Sequence, residues 1–189
     1  MGQEPRYFGG WPCTGGVGEA ALRTHEQQHR VPAPDRPWSE IEPGLWMGGH
    51  KFRGRSGRLE FALVRDEFDV VQTLLRLPGY GPGPRAEHHV WPIPDGPLDG
   101  TQLAGVMRLA RAANEALDCG RSVLVRCYHG YNRSGLVVAH ALVRRGRTPE
   151  EAIALIRARR SPWALHNELF VDYLRAGLAT ARLLEELAE

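Results

Sequence analysis

The sequence predicts an α/β fold in which short buried strands alternate with amphipathic helices. Apolar runs of strand length occur at residues 70–75 and 123–125. Apolar residues recur at helical spacing across 101–118, a stretch that ends before Gly120, and the apolar run over 136–143 is also helix-like. Because open α/β sheets place their sites at the carboxyl ends of the strands, we expect the functional residues to follow a central strand.

Length and composition limit the classes of function. A chain of 189 residues predicts one domain with a sizeable core that needs neither disulfides nor metal. Its 42% hydrophobic and 24% charged residues are typical of a soluble globular protein. The formal net charge of +2 predicts no strong attraction of the whole molecule to nucleic acid or to a membrane.

The spacing of the cysteines and the absence of targeting patterns indicate the cellular compartment in which the protein is expected. The three cysteines, Cys13, Cys119 and Cys127, have neither a disulfide framework nor metal-ligand spacing. No signal-peptide pattern follows Met1, and no apolar run is long enough to span a bilayer. These features predict a cytoplasmic protein with reduced thiols.

The N-terminal segment differs in composition from the rest of the chain. Residues 1–37 are rich in Gly, Pro, Gln and Arg and predict a flexible arm, so that the globular domain is predicted to span 38–189. Within the arm, residues 19–30 predict a short helix on which His25 and His29 share a face at metal-ligand spacing. No third ligand accompanies these histidines, and neither a metal nor another cofactor is predicted.

From residue 38 the pattern is typical of a globular protein. Residues 41–49 predict two short strands around a Pro-Gly turn. The loop 52–58 carries arginines spaced by glycine, which are either solvated or in contact with a second acidic group or RNA phosphates. Residues 59–66 predict a short helix, and residues 88–91 predict another short strand.

The stretch 123–135 predicts a strand, a loop and a helix in succession. The strand ends at Cys127, and Ser134 and Gly135 begin the helix-like run. The peptide N–H groups of such a loop, with the positive end of the helix dipole, favour an anion in the concavity that they line. A thiol there is favoured as the thiolate, and the planar guanidinium of Arg133 suits two oxygens of one phosphate. The stretch therefore predicts a nucleophilic cysteine that acts on a phosphate monoester.

Residues 127–135 resemble the C-x5-R-[ST] signature of the cysteine-dependent protein tyrosine phosphatases, in their compact dual-specificity branch. The resemblance extends from about residue 38 to residue 177 and implies a central mixed, mainly parallel sheet flanked by helices on both sides. It implies that Cys127 is the nucleophile, that Arg133 binds the phosphate and that Ser134 hydrogen-bonds the leaving sulfur. The backbone N–H groups that it implies for phosphate binding are those of Tyr128, His129, Gly130, Tyr131, Asn132 and Arg133.

One residue departs from the family pattern. Arg126 directly precedes the cysteine, where the family usually has a histidine. An arginine keeps positive charge near the thiolate but removes the usual hydrogen bond to the loop, so its effect on activity is left open. A structural alternative is that Cys127 is only a small buried side chain at a strand end.

Residues 91–99 resemble the mobile aspartate loop of the same family, whose acid protonates the leaving oxygen. Two carboxylates are candidates. Asp95 lies in a Pro-Asp-Gly turn at the mouth of the strand and is preferred as the acid. Asp99 is placed to cap the helix that begins near Thr101.

The last part of the chain predicts two further helices. Residues 148–151 combine an N-cap threonine, a proline at the first helical position and a capping-box glutamate, which predicts a helix to about residue 160. A bridge over 161–167 leads to a last helix that ends near residue 188.

Side chains near the junction of these helices are further candidates. Asn167 either caps the last helix or positions water for the second catalytic step, as an asparagine in this place does in the family. Arg157, Arg159 and Arg160 either contact a second phosphate or lie at the surface in salt bridges.

The resemblance implies a phosphatase that forms a phosphocysteine and uses Asp95 first as acid and then as base, with a bell-shaped pH dependence. No extra recognition loop of the tyrosine-selective branch is found, so phosphotyrosine and phosphoserine or phosphothreonine on proteins are the expected substrates. Because Asn132 precedes Arg133 as in the family's RNA 5′-triphosphatases, an RNA 5′-phosphatase is one alternative. A phosphate-binding module that has lost turnover is another. The expected partner is a phosphorylated protein, and no oligomeric state is predicted.

Overall fold

A computed structural model of the chain describes residues 31–178 and the backbone of residues 6–7. The described strands are β1 (Arg6–Tyr7), β2 (Trp38–Glu42), β3 (Leu45–Gly49), β4 (Lys51–Arg53), β5 (Leu59–Phe61), β6 (Val70–Thr73), β7 (Glu87–Val90) and β8 (Val123–Cys127). The described helices are α1 (Gly100–Asp118), α2 (Arg133–Arg144), α3 (Pro149–Arg159) and α4 (Glu168–Asp172), the last continued by a π-helical turn over Tyr173–Gly177.

Six strands form one sheet in the order β1-β7-β6-β8-β3-β2. Every neighbouring pair is parallel except β2 and β3, which are antiparallel around the predicted Pro-Gly turn. The predicted mixed, mainly parallel sheet is therefore confirmed. Because β3, β6, β7 and β8 are parallel, their carboxyl ends meet at one edge of the sheet, and Cys127 ends β8 at that edge.

The two faces of the sheet are covered differently. Val123 and Val125 contribute to the large core cluster, together with buried residues of α1, α2, α3 and α4. Leu124 faces the other way, into a smaller cluster completed by Phe68 and the half-buried Trp38. That second face is covered by the non-helical segments 62–69 and 76–86. The helices of the described residues thus pack on one face, whereas helices were expected on both.

The expected helix over 59–66 is wrong. Leu59–Phe61 is instead strand β5, which pairs with β4 in an antiparallel hairpin. The turn is closed by a hydrogen bond from Gly54 N to Arg58 O of 2.8 Å, and Gly57 has a φ of +76° that glycine adopts without strain. The glycine-rich turn and the pairing with β4 prevail over the local helical preference. The three arginines of this region, Arg53, Arg55 and Arg58, are exposed.

The predicted helix starts are confirmed in detail. Asp99 caps α1 and forms a capping box with Gln102, and Thr148 caps α3 with Glu151 in the same reciprocal arrangement. The last helix is described only to Leu178, so its predicted end near residue 188 lies outside the described residues. The predicted helix that carries His25 and His29 also lies outside them.

The described residues contain neither a membrane-spanning helix nor a cluster of metal ligands. None of their helices has both the length and the apolar character needed to cross a membrane. Within the same part of the chain, no group of three or more His, Cys, Asp or Glu side chains is arranged to hold a metal ion.

Candidate active site

The site is built around Cys127, where the central strand ends. Its side chain is buried, with 3% of the residue exposed. Residues 127–133 form the signature loop, which turns from β8 into α2. The strand, loop and helix predicted for this stretch are all present.

The carbonyl groups of the signature loop are held from outside. Each of the carbonyl oxygens from residue 127 to residue 131 accepts a hydrogen bond from a group beyond the loop. The donors are His50 N to Cys127 O, Lys51 N to Tyr128 O, Arg160 to His129 O and Gly130 O, and Leu165 N to Tyr131 O. Because a trans peptide points its C=O and the next N–H in opposite directions, the N–H groups that follow these carbonyls turn towards the inside of the loop. This backbone arrangement suits an anion.

Arg160 has a role that the sequence did not predict. It was expected to contact a second phosphate or to lie at the surface, but only 8% of it is exposed. Its guanidinium donates to His129 O at 2.8 Å and to Gly130 O at 3.2 Å, and also to Arg36 O at 2.9 Å. Burial lowers the pKa of Arg160 to about 10. Arg160 therefore joins the signature loop to the segment that precedes β2.

Close backbone contact fixes the position of the loop beside β3. Gly130 has a φ of +72°, and a Cβ at this position would lie 2.3 Å from Gly48 C. A Cβ on Gly49 would lie 2.5 Å from His129 C. Glycine is therefore required on both sides of this contact.

Arg133 and Ser134 begin α2 beside the thiol. Ser134 is fully buried, and its Oγ lies 3.4 Å from Cys127 Sγ. Arg133 is 5% exposed, and its Nε is buried without a hydrogen-bond partner among the described residues. The side chain of Asn132 does not cap α2, so it leaves the N–H groups at the start of the helix to other partners.

Asp95 lies next to the signature loop, whereas Asp99 does not. The buried Asp95 carboxylate accepts from Asn132 Nδ2 at 3.1 Å through Oδ2 and from Asn167 Nδ2 at 2.9 Å through Oδ1. Asp99 is exposed and caps α1. Asn167 combines two functions, because its Oδ1 also accepts from Leu169 N and caps α4.

His166 completes the hydrogen-bond network around Asn132. Its ring nitrogen Nδ1 lies 2.8 Å from the carbonyl oxygen of Trp163, to which it must donate. The other ring nitrogen, Nε2, then accepts from Asn132 Nδ2 at 3.1 Å. Asn132 Oδ1 accepts from Asn167 N at 3.1 Å, so every polar atom of this amide is engaged. Only the position of His166 directly before Asn167 pointed to it in the sequence.

Arg126 points away from the signature loop. Its Nε donates to Thr73 Oγ1 at 3.1 Å and its Nη2 to Tyr80 O at 2.8 Å. Only 1% of Arg126 is exposed, and burial lowers its pKa to about 10. The guanidinium that holds carbonyls of the signature loop is instead that of Arg160.

The space above the thiol is narrow. A cavity of about 10 Å³ is lined by Val31, Asp95, Cys127, Tyr128, His129, Tyr131, Asn132, Arg133 and His166. That volume suffices for about one water molecule. Asp95 and Val31 lie at the wall of this space, beside the signature loop.

The chain is similar to known proteins in its structure. No protein-family model matches the chain, and no curated protein is significantly similar to it. Human DUSP28 is 21% identical, with a TM-score of 0.58 over 79% of this chain and 99% of that chain. A mouse putative dual specificity phosphatase, complexed with zinc tungstate, is 24% identical, with a TM-score of 0.54 over 80% of this chain and 94% of that one.

A viral protein has the same architecture. OH1 from the Orf virus, a tyrosine phosphatase with triple substrate specificity, is 15% identical, with a TM-score of 0.52 over 82% of this chain and 94% of that chain. The chain thus has the fold of the cysteine-dependent phosphatases. Within that fold it has the compact form of the dual-specificity branch, as expected from the sequence.

Proposed function

We propose that this protein is a phosphatase that hydrolyses phosphate monoesters through a phosphocysteine on Cys127. The observation that carries the proposal is the position of the buried thiol at the start of a loop whose first five carbonyls, those of residues 127–131, accept hydrogen bonds from outside the loop. The inward peptide N–H groups and the Arg133 guanidinium are suited to the equatorial oxygens of a phosphoryl group. Such preorganised donors are usually the largest single contribution to catalysis.

In the first step, the Cys127 thiolate attacks phosphorus and the S–P bond forms as the P–O bond to the leaving group breaks. Asp95 protonates the departing oxygen. Each oxygen of Asp95 accepts one amide hydrogen bond and keeps a second lone pair, on which the proton to be donated can lie.

In the second step, water attacks the phosphocysteine and the thiolate leaves. Asp95 accepts the proton of that water as a general base. Ser134 Oγ, 3.4 Å from Cys127 Sγ, donates a hydrogen bond to the leaving sulfur. Asn167 keeps Asp95 in place for this step. The mechanism uses no metal.

Phosphorylated proteins, at tyrosine and at serine or threonine, are the proposed substrates. A groove of about 450 Å³ adjoins the site at Tyr131 and is lined by Arg36, Arg53, Arg159 and Trp163, among others. Trp163 is 47% exposed. An open groove with arginines and an aromatic ring suits a peptide with acidic groups near the phosphorylated residue. A cytoplasmic location belongs to the proposal, since a thiolate nucleophile needs a reducing compartment.

Turnover of p-nitrophenyl phosphate tests the proposal. We expect activity in the wild type, inhibition by vanadate, loss of activity in Cys127→Ser, and a kcat lower by roughly two orders of magnitude in Asp95→Asn. Wild-type protein that binds phosphate without turnover would instead be the phosphate-binding module.

The substrate class is tested separately by phosphate release from phosphopeptides and from triphosphate-ended RNA. We expect phosphopeptides to be preferred. The amide of Asn132, on which the similarity to RNA 5′-triphosphatases depends, is fully engaged with Asp95, His166 and Asn167. A higher kcat/KM on RNA would overturn the assignment to proteins but not the phosphocysteine chemistry.

A further inference from the structure

A second polar cavity lies on the sheet face opposite the helices. It has a volume of about 270 Å³ and is covered by the turn-rich loop 76–84. The β6–β8 register places Thr73 beside Arg126, and the β6–β7 register places His88 on the same face as Thr73. His50, which follows β3, also lines the cavity wall. This cavity is therefore built by strand ends, and the candidate active site does not share its lining residues.

Arg126 is buried in this cavity wall without a counter-charge. Only 1% of the residue is exposed, and its two hydrogen bonds go to the neutral acceptors Thr73 Oγ1 and Tyr80 O. Its Nη1 is buried without a partner among the described residues. Burying a guanidinium without a negative partner costs free energy. The surroundings of Arg126 therefore lack an anion that would balance its charge.

The other ionisable side chains of the cavity add to the excess of positive charge. Those that line it are His50, Arg76, His88 and Arg126, and no aspartate or glutamate is among the lining residues. Burial, with a further contribution from Arg126, lowers the pKa of both His50 and His88 to about 4. Arg76 is exposed at the mouth of the cavity. The histidines are thus neutral near neutral pH, and the two arginines carry the charge.

We propose that this cavity is a second anion site, distinct from the signature loop, which binds the phosphate group of a small molecule. Arg126 Nη1 donates to a phosphate oxygen at the inner end, and Arg76 reaches the anion from the mouth. Pro78, Tyr80 and Pro84 line the cavity from the covering loop and accommodate the organic part of the ligand. The ligand class is therefore inorganic phosphate or a small organic phosphate.

Phosphate binding to Arg133→Ala protein tests this site, because that substitution removes the guanidinium of the signature loop. Equilibrium dialysis against radiolabelled inorganic phosphate measures the stoichiometry. We expect one phosphate per chain, bound at least tenfold more weakly after the additional change Arg126→Gln. Arg111→Gln is the matched control, since Arg111 is exposed on α1 beside Glu115, and it should leave binding unchanged.

Arg76→Ala provides a second variant that does not disturb a buried side chain. Arg76→Ala should also weaken phosphate binding. If Arg126→Gln does not fold, the comparison of phosphate binding with and without Arg76→Ala tests the proposal by itself. Folded Arg133→Ala protein that binds no phosphate at millimolar concentration overturns the proposal, as does binding that neither Arg126 nor Arg76 affects.

Competition identifies the anion. Glycerol phosphate should displace the label, whereas succinate should not, and equal displacement by both would contradict selectivity for phosphate. Because Arg133→Ala is not expected to turn over, none of these results depends on the proposed phosphatase activity.

Discussion

At the scale of single residues, the position of Asp95 is the most informative feature of the site. Its carboxylate is oriented by amides from two separate elements, the signature loop and the residue that caps α4. The sequence offered Asp95 and Asp99 as alternatives. The folded chain assigns Asp99 to a helix cap and brings Asp95 to the loop that carries Cys127. The Asp95 carboxylate is thus positioned by its neighbours as much as by its own backbone.

We predict that Asn167→Ala lowers kcat by about tenfold with little change in KM, because Asp95 loses one of its two positioning bonds while substrate contacts persist. Steady-state kinetics with an aryl phosphate measures the effect. Asn114→Ala is the control, since the Asn114 amide donates to Ala141 O at 3.1 Å away from the site and its loss should leave kcat unchanged. Equal losses in the two variants would contradict a positioning role.

Ser134→Ala tests the second chemical step. A hydrogen bond to a charged group contributes about 1.5–3 kcal/mol, so loss of the bond to the leaving sulfur should slow hydrolysis of the phosphocysteine by roughly tenfold or more. Rapid-mixing kinetics should then show a burst of the released phenol, followed by slow turnover. A variant without a burst and with unchanged kcat would place Ser134 outside the mechanism.

At the scale of elements, the signature loop depends on supports distant in sequence. The donors to its carbonyls come from the segment after β3, from Arg160 at the end of α3 and from Leu165. The loop is therefore stabilised by the packing of several elements and not by its own sequence alone. The requirement for glycine at its contact with β3 can be tested directly.

Gly130→Ala should lower the free energy of unfolding by more than Gly120→Ala. Both glycines have similar backbone angles, with φ of +72° and +71°. A Cβ at Gly120 would meet nothing within 4 Å, whereas at Gly130 it would meet Gly48 at 2.3 Å. The strained angle costs about 1 kcal/mol in either variant, and the backbone clash adds to it at Gly130. Urea unfolding measures both, and equal destabilisation would show that the loop can move away from β3.

Local sequence predicted helices and strands better than it predicted the long-range hydrogen bonds that hold the signature loop. The strand, loop and helix at Cys127, the N-cap of α1 and the capping box of α3 depend on residues close together in the chain, and they were predicted. Arg160 was not, because its acceptors lie about 30 residues upstream at His129 and 124 residues upstream at Arg36. The β4–β5 hairpin was missed because its partner strand overrides the helical preference of residues 59–66.

At the scale of the whole molecule, the two sheet faces have different chemistry. One is covered by helices over an apolar core, and the other combines a small aromatic cluster with buried basic side chains. The proline- and glycine-rich segment 78–84 cannot form a helix, which explains why that face lacks one there. The cavity beneath this segment was not predicted, because its walls come from separate strands that only the folded chain brings together.

The buried histidines predict how stability depends on pH. The folded state lowers the pKa of His50 and His88 from the ordinary value of 6.5 to about 4, chiefly by burial. The unfolded chain therefore binds more protons, so this contribution to stability is complete above pH 6.5 and is lost as the pH falls towards about 4.

Urea unfolding in phosphate-free buffer at several pH values between these limits measures the loss. We expect the free energy of unfolding of His88→Gln to decrease less steeply with falling pH than that of the wild type. The glutamine amide can still bond to Thr73 but does not titrate. Parallel pH curves for the two proteins would show that His88 does not contribute.

The boundary predicted at residue 38 remains a prediction, but the contacts of residues 31–37 matter for anyone who shortens this protein. Tyr131 donates its hydroxyl to Pro32 O at 2.9 Å, and Arg160 donates to the carbonyls of Arg36 and Pro37. Expression from residue 38 would delete all of these acceptors and remove the contacts that residues 31–37 make with Tyr131 and Arg160. Truncated versions made for crystallisation or screening should keep the chain from residue 31 onward, or a defect caused by the deletion will be mistaken for a property of the intact protein.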